Sequence, residues 1–314
     1  MKHSASRWTA IGWRNLFVEA PEDWSIGALS GDDSAGYLRI DDAEMPRIEL
    51  RWEPVRGQEP IEKVVDRYLA KLTEKKGKKT TPVKVRRQLN LIKEASILEN
   101  RTIEGFHWET EGDRPLQAYG ILWRCSVCKR TVFVQVIGQE HESIFSIAAR
   151  VLNSLRDHPE GEMTTWGLYG MRFETPAAFV LKDYQLLTGR LALRFSGTAG
   201  EIEIERLSLA EIQLDDKPFE HWFQQTCDGE ILHQETLSGE GFRHPGVWAS
   251  GKAIDPATVH KRMAWLPWRR PKKREFERIG WHCADGNKLF TLRRLTDQTD
   301  QEVLSRIART MVCH

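Results

Sequence analysis

Cysteine is scarce in this sequence: five in 314 residues, an odd number, with a single Cys-x-x-Cys pair. That excludes a secreted framework of paired disulfides, which small extracellular domains carry densely and in even counts. Long apolar runs are missing as well. No stretch approaches the ~18 residues that a membrane span needs, and the polar and basic first residues lead into no apolar segment of signal-peptide type. An excess of charge of one sign is also lacking. The 46 Lys and Arg against 45 Asp and Glu leave a net charge of +1, so any role with nucleic acid or an acidic membrane must be local. Neither a nucleophile elbow nor a zinc-protease helix occurs. These absences predict a cytoplasmic protein with reduced thiols and no membrane span.

What is present fits a soluble globular chain of two ordinary domains: 40% hydrophobic and 29% charged residues over 314 positions. One stretch, Trp123-Arg124-Cys125-Ser126-Val127-Cys128-Lys129-Arg130, has an echo at Trp281-His282-Cys283-Ala284-Asp285-Gly286-Asn287-Lys288. In both, Trp-x-Cys is expected to begin the last long strand, and a helix then runs to a His, His158 or His314. Self-similarity of this kind is read before anything else.

Other matches follow in the same order. Phe173 to Pro176 with Phe179 mirrors Phe17 to Pro21 with Trp24. Leu193-Arg194-Phe195 mirrors Leu38-Arg39-Ile40, and Ile202-Glu203-Ile204 mirrors Ile48-Glu49-Leu50. Pro218-Phe219-Glu220 opens a helix as Pro60-Ile61-Glu62 does, and Glu240-Gly241-Phe242 matches Glu104-Gly105-Phe106. Residues 1–12 read as a loose lead-in and Ala95 to Leu98 as a strand. Ile61, Val64, Val65, Tyr68, Leu69 and Leu72 mark a helix by their three- and four-residue spacing. Pro159 and Gly161 mark a linker. The order predicts two similar domains, 1–158 and 165–314, the second with an insertion rich in Trp and bases at about 244–275.

A strand carrying Phe-x-x-x-Pro-x-x-Trp (Phe17, Pro21, Trp24), two more strands, a helix, strands around a central Gly105 and a closing helix: this order resembles the PsbP-like family. That family includes the extrinsic photosystem subunit and Ran-binding relatives. The resemblance implies an α+β fold, each repeat an antiparallel sheet flanked by helices, and a docking role with a protein partner rather than catalysis.

Three constellations are candidates for chemistry. Cys125 and Cys128 have the spacing of two thiolates on one tetrahedral Zn²⁺, which is half a site. A strand followed by an antiparallel helix returns the helix end to the strand start, so His158 is expected near Cys125, and Cys313 with His314 near Cys283. Gly286 stands where Cys128 would be. The bland reading makes these thiols buried packing residues with no metal. A thioredoxin-like redox centre expects its Cys-x-x-Cys at a helix N-terminus, whereas this one precedes a strand.

The second constellation is basic. Lys75, Lys76, Lys78, Lys79, Lys84, Arg86 and Arg87 cluster in the first half. Lys261, Arg262, Arg269, Arg270, Lys272, Lys273 and Arg274 interleave with Trp265 and Trp268 in the second. Bases among tryptophans bind phosphate backbones and stack on nucleobases; the plainer reading is a solvated loop. The third, Gly246 to Lys252, satisfies G-x-x-x-x-G-K, but Ala253 replaces the hydroxyl that binds Mg²⁺, so it reads as coincidence. The expected function is a non-catalytic binding or assembly module with a structural zinc site or none. A cysteine-centred redox or metal enzyme and a binder of nucleic acid or anionic surfaces are the alternatives.

Overall fold

The structure, a computed structural model, describes residues 7–57, 59–73, 83–238, 241–255, 272–297 and 301–313. The chain divides into two compact units: Met1–Glu160 with Thr165–Tyr169, and Gly161–Thr164 with Gly170–His314.

Unit 1 opens with a hairpin, β1 (Trp8–Trp13) and β2 (Leu16–Pro21). Arg14 and Asn15 turn it, both at positive φ (53° and 66°), the left-handed pair whose twist suits a two-residue hairpin. There follow β3 (Ser25–Gly31), β4 (Gly36–Asp41), β5 (Pro46–Pro54), α1 (Ile61–Thr73), β6 (Val83–Arg87), the short α2 (Ala95–Leu98), β7 (Arg101–Thr110), β8 (Leu116–Cys125), β9 (Arg130–Gln139) and α3 (Phe145–Ser154). Seven strands form one antiparallel sheet in the order β3-β4-β5-β9-β8-β7-β6. Two meanders are thus joined where β5 meets β9, with Glu49 opposite Gln135.

Strand β9 is buried along nearly its whole length because both faces are covered. Alternation sends Phe133 and Ile137 toward Ile61, Val65 and Leu69 of α1, and Val132, Val134 and Val136 to the opposite face. Helix α3 packs on β2, β8 and β9. The next strand, β10 (Met163–Leu168), brings Gly167 opposite Gly12 of β1. Backbones approach so closely there that a Cβ on Gly12 would lie 2.5 Å from the Thr165 carbonyl oxygen.

Unit 2 contains β11 (Met171–Pro176), β12 (Val180–Leu187), β13 (Arg190–Gly197), β14 (Gly200–Ser208), α4 (Ala210–Leu214), α5 (Phe219–Gln225), β15 (Gly229–Leu237), β16 (Gly246–Ile254), β17 (Lys273–Cys283), β18 (Lys288–Thr296) and α6 (Gln301–Thr310). Its sheet has the order β12-β13-β14-β18-β17-β16-β15, all neighbours antiparallel. Position by position this is the order of unit 1. Registers agree as well: Glu49 faces Gln135 as Glu203 faces Arg293, and Trp123 faces Val132 as Trp281 faces Phe290.

The expectation of an α+β fold, each sheet flanked by helices, is corrected. Among the described residues 54% are strand and 17% helix, mostly antiparallel sheet. The physical reason lies in segments whose sequence lacks clean periodicity. Residues 8–13, read as loose, form β1. Strands β3, β12 and β15 are mostly exposed sheet members, so little apolar alternation marks them. Ala95–Leu98, read as a strand, is a single helical turn. The Glu-Gly-Phe match also fails. Gly105 lies within β7, whereas Gly241 and Phe242 precede β16, and Glu240 lies outside the described residues.

Candidate metal centre

Cys125 is the last residue of β8 and Cys283 the last of β17. The Trp-x-Cys motifs therefore end the penultimate strand instead of beginning the last one. A left-handed residue pins the turn that follows, Lys129 (φ 57°) in unit 1 and Asn287 (φ 47°) in unit 2.

The closing helix supplies the other wall of each corner. Ser154 ends α3; its hydroxyl donates to Val151 O (2.7 Å) and accepts the Glu19 amide of β2 (2.7 Å). Thr310 ends α6 in the same way, donating to Ile307 O (2.7 Å) and accepting the Glu174 amide of β11 (2.9 Å). Two residues on, Arg156 exchanges backbone hydrogen bonds with Phe17, and Val312 with Arg172. The next residues, Asp157 and Cys313, are thereby carried to the cysteine turn.

In unit 1 the corner gathers Cys125, Asp157 and His158, whose donor atoms lie within 4.8 Å of one another. The Cys128 thiol donates to Asp157 Oδ2 at 3.3 Å. Asp157 is wholly buried, and Arg101 Nη2 reaches its Oδ1 at 2.7 Å while the guanidinium lies over the Trp123 ring, 4.9 Å from the centroid. His158 places Nδ1 3.2 Å from Pro159 O. A proton donated there leaves the Nε2 lone pair for the corner, 3.7 Å from Asp157 Oδ1. Burial, and then the Asp157 carboxylate, push the Cys128 thiol well above its ordinary range. A protonated thiol is a poor nucleophile, so these surroundings do not activate Cys128. The Cys125 thiol, the His158 imidazole and an Asp157 carboxylate oxygen are three donors close enough together for one ion; Cys128 touches this group through Asp157 and is the candidate fourth, and Arg101 offsets the surplus negative charge.

In unit 2 the corresponding corner gathers Cys283, Cys313 and His244 within 4.8 Å. His244 Nε2 lies 3.0 Å from Cys313 Sγ. Burial, and then Cys283, raise the Cys313 thiol above its ordinary range. A Cβ at Gly286 would sit 3.3 Å from Cys283 Sγ, so this turn presses on the cluster without adding a donor. His314 lies outside the described residues. Asp157 and Arg101 escape sequence reading, and His244 has no obvious partner at catalytic spacing in the sequence. Asp157 carries a faint signal as the neighbour of His158; Arg101 and His244 carry none, because only strand register brings them here.

Of the basic candidates, Lys75, Lys76, Lys78, Lys79, Lys261, Arg262, Arg269 and Arg270 lie outside the described residues. The described ones face carboxylates. Lys84 meets Glu111 (2.9 Å), Arg86 Glu109 (3.4 Å), and Arg87 both Glu104 (3.0 Å) and Asp66. Lys272 meets Asp297 (3.7 Å), Lys273 Glu230 (3.5 Å) and Arg274 Glu201 (3.6 Å). Gly246 to Lys252 lie on β16, where no phosphate-cradling loop forms.

Unit 1 also has a cleft of about 720 Å³ between α1 and the sheet, walled by Trp52, Val64, Tyr68, Trp108 and Phe133. Its floor is a hydrogen-bonded chain: Trp108 Nε1 donates to Gln135 (3.0 Å), and Gln135 Nε2 and Tyr37 OH both donate to Glu49 (2.9 and 2.8 Å). The equivalent place in unit 2 is smaller, about 230 Å³, and polar, with Glu203, Glu205, Asp228, Arg278 and Arg293. Among the described residues no helix is long and apolar enough to cross a membrane. No protein-family model matches the chain, and no curated protein matches it.

Proposed function

We propose that the chain is a non-catalytic binding module whose first unit is stapled by a structural zinc ion at Cys125, Cys128, Asp157 and His158. The observation that carries this reading is the convergence of the Cys125 thiol, the His158 imidazole and the Asp157 carboxylate from two separate segments on one corner, with the Cys128 thiol 3.3 Å from Asp157. The ion would tie the β8–β9 turn to the residues after α3, a closed coordination shell with a holding role. Zinc would displace the thiol protons, and Arg101, 2.7 Å from Asp157 Oδ1, would hold that carboxylate toward the ion.

The partner we propose is a protein, the docking role that the PsbP-like resemblance implies. Two features support it. The described basic residues are already neutralised by carboxylates, which weighs against a polyanion. The cleft of unit 1 combines apolar walls with a fixed polar floor, the usual make-up of a recognition site.

Elemental analysis of the full chain, purified under reducing conditions, tests the metal. One zinc equivalent should disappear in Cys125→Ser and in Cys128→Ser. Zinc content unchanged by both substitutions would overturn the site. Binding to oligonucleotides that weakens steeply with salt would overturn the choice of partner.

A further inference from the structure

We infer that unit 2 carries a second zinc site, built from His244, Cys283 and Cys313, that is a different solution to the same corner. It shares the donor chemistry of the unit 1 reading but none of its residues. Strand register defines the correspondence. Ile103 faces Trp123 and Arg101 faces Cys125 across β7 and β8, while Gly246 faces Trp281 across β16 and β17. Two residues before Gly246, at the place of Arg101, stands His244. Cys313 stands at the place of Asp157, one residue past the backbone bridge.

An ion pair in one unit is thus an imidazole–thiol pair in the other. Arg101 and Asp157 satisfy each other's charge. His244 and Cys313 are an imidazole beside a thiol, and a thiol is a weak hydrogen-bond partner. Yet the two converge to 3.0 Å, with Cys283 beside them and both sulfurs buried. Two thiols and one imidazole are the donor set of a Cys₂His zinc site. Binding would form two Zn–S bonds and one Zn–N bond, releasing the two thiol protons to solvent. With Gly286 in place of Cys128, the described residues offer three donors against four in unit 1. The site is therefore the weaker of the two and the first to yield its ion to a chelator.

Metal content of the full chain separates the two readings. Wild type should hold two zinc equivalents; Cys125→Ser and Cys313→Ser should each hold one, and the double variant none. His244→Ala, which keeps both thiols, should weaken the second equivalent at least tenfold in chelator competition, with the far-UV spectrum unchanged to show that the unit is folded. Cobalt in Cys125→Ser should still give thiolate charge-transfer absorption, which is lost on adding Cys313→Ser. One equivalent in wild type, removed by Cys125→Ser and untouched by Cys313→Ser, would overturn this inference and leave the unit 1 site standing. The reverse pattern would sink the unit 1 site alone. A Cys283–Cys313 disulfide found by mass spectrometry in protein kept under reductant would also overturn it.

Discussion

At one corner of unit 1 a buried arginine and aspartate face each other; at the same corner of unit 2 stand a histidine and a cysteine. The backbone around them is alike, down to the hydroxyl at the helix end and the bridge two residues later. What differs is how buried polarity is compensated. A charge taken out of water needs an opposite charge, so Arg101 cannot be lost without stranding Asp157. The His244 imidazole and the Cys313 thiol are not an ion pair of that kind. Paired charges tie two positions into one unit of change, whereas soft donors leave each free to vary and open to a metal.

The largest expected effect uses that asymmetry directly. In metal-free protein, Arg101→Ala should destabilise unit 1 by about 3–5 kcal/mol, since Asp157 is left as an uncompensated buried charge. His244→Ala should cost unit 2 less, about 1 kcal/mol for the hydrogen bond to Cys313. Urea unfolding read separately for each unit checks both; equal losses would break the comparison.

Acid sharpens it. The Cys128 and Cys313 thiols are raised by burial, so both are protonated at neutral pH without metal, and zinc must expel their protons. Affinity therefore rises with pH and falls as pH drops, by about a hundredfold per unit where two thiols titrate. Isothermal titration in buffers of different ionisation enthalpy should show the protons of Cys128 and Cys313 released on zinc binding.

A smaller effect comes from the turn. Gly286→Cys restores the missing thiol beside Cys283, and zinc held by unit 2 should tighten by at least about tenfold against a chelator, given the cost of losing a donor. No tightening would mean that the new side chain cannot reach the ion. The smallest and most even effect belongs to the shared stitch. Ser154→Ala and Thr310→Ala should each cost about 1 kcal/mol of stability, and a clear inequality would show that the two helix ends are not held alike.

Some of this was legible in residues alone. The Trp-x-Cys stretches stand out because a large aromatic and a thiol two apart share one strand face, and His158 follows a helix long enough to be read. Pro21 and Pro176 mark strand ends, where each carbonyl accepts the amide three residues on, from Trp24 (3.0 Å) and Phe179 (2.9 Å). The α+β class was misread because edge strands such as β15, with Glu230, His233, Gln234 and Glu235, look like polar loops until a neighbour pairs with them. The motif's place was misread by one hairpin because Ser126 to Lys129 is short, and either flank reads as a strand. The partners of His244 were hidden for a deeper reason: its neighbours come together through register across a sheet, which nothing in its own neighbourhood encodes.

The stitch at each helix end also sets a clock. It joins residues 135 and 136 positions apart, Glu19 to Ser154 and Glu174 to Thr310, so nearly a whole unit must leave the ribosome before its corner can close. Contacts of such long sequence separation form late and slowly. Until then the thiols of the growing chain stand open to solvent, oxidant and stray metal. Unit 1 precedes unit 2 in the chain, so its corner can close while unit 2 is still being made. The two thiol clusters thus mature at different moments of synthesis, each guarded for a different length of time.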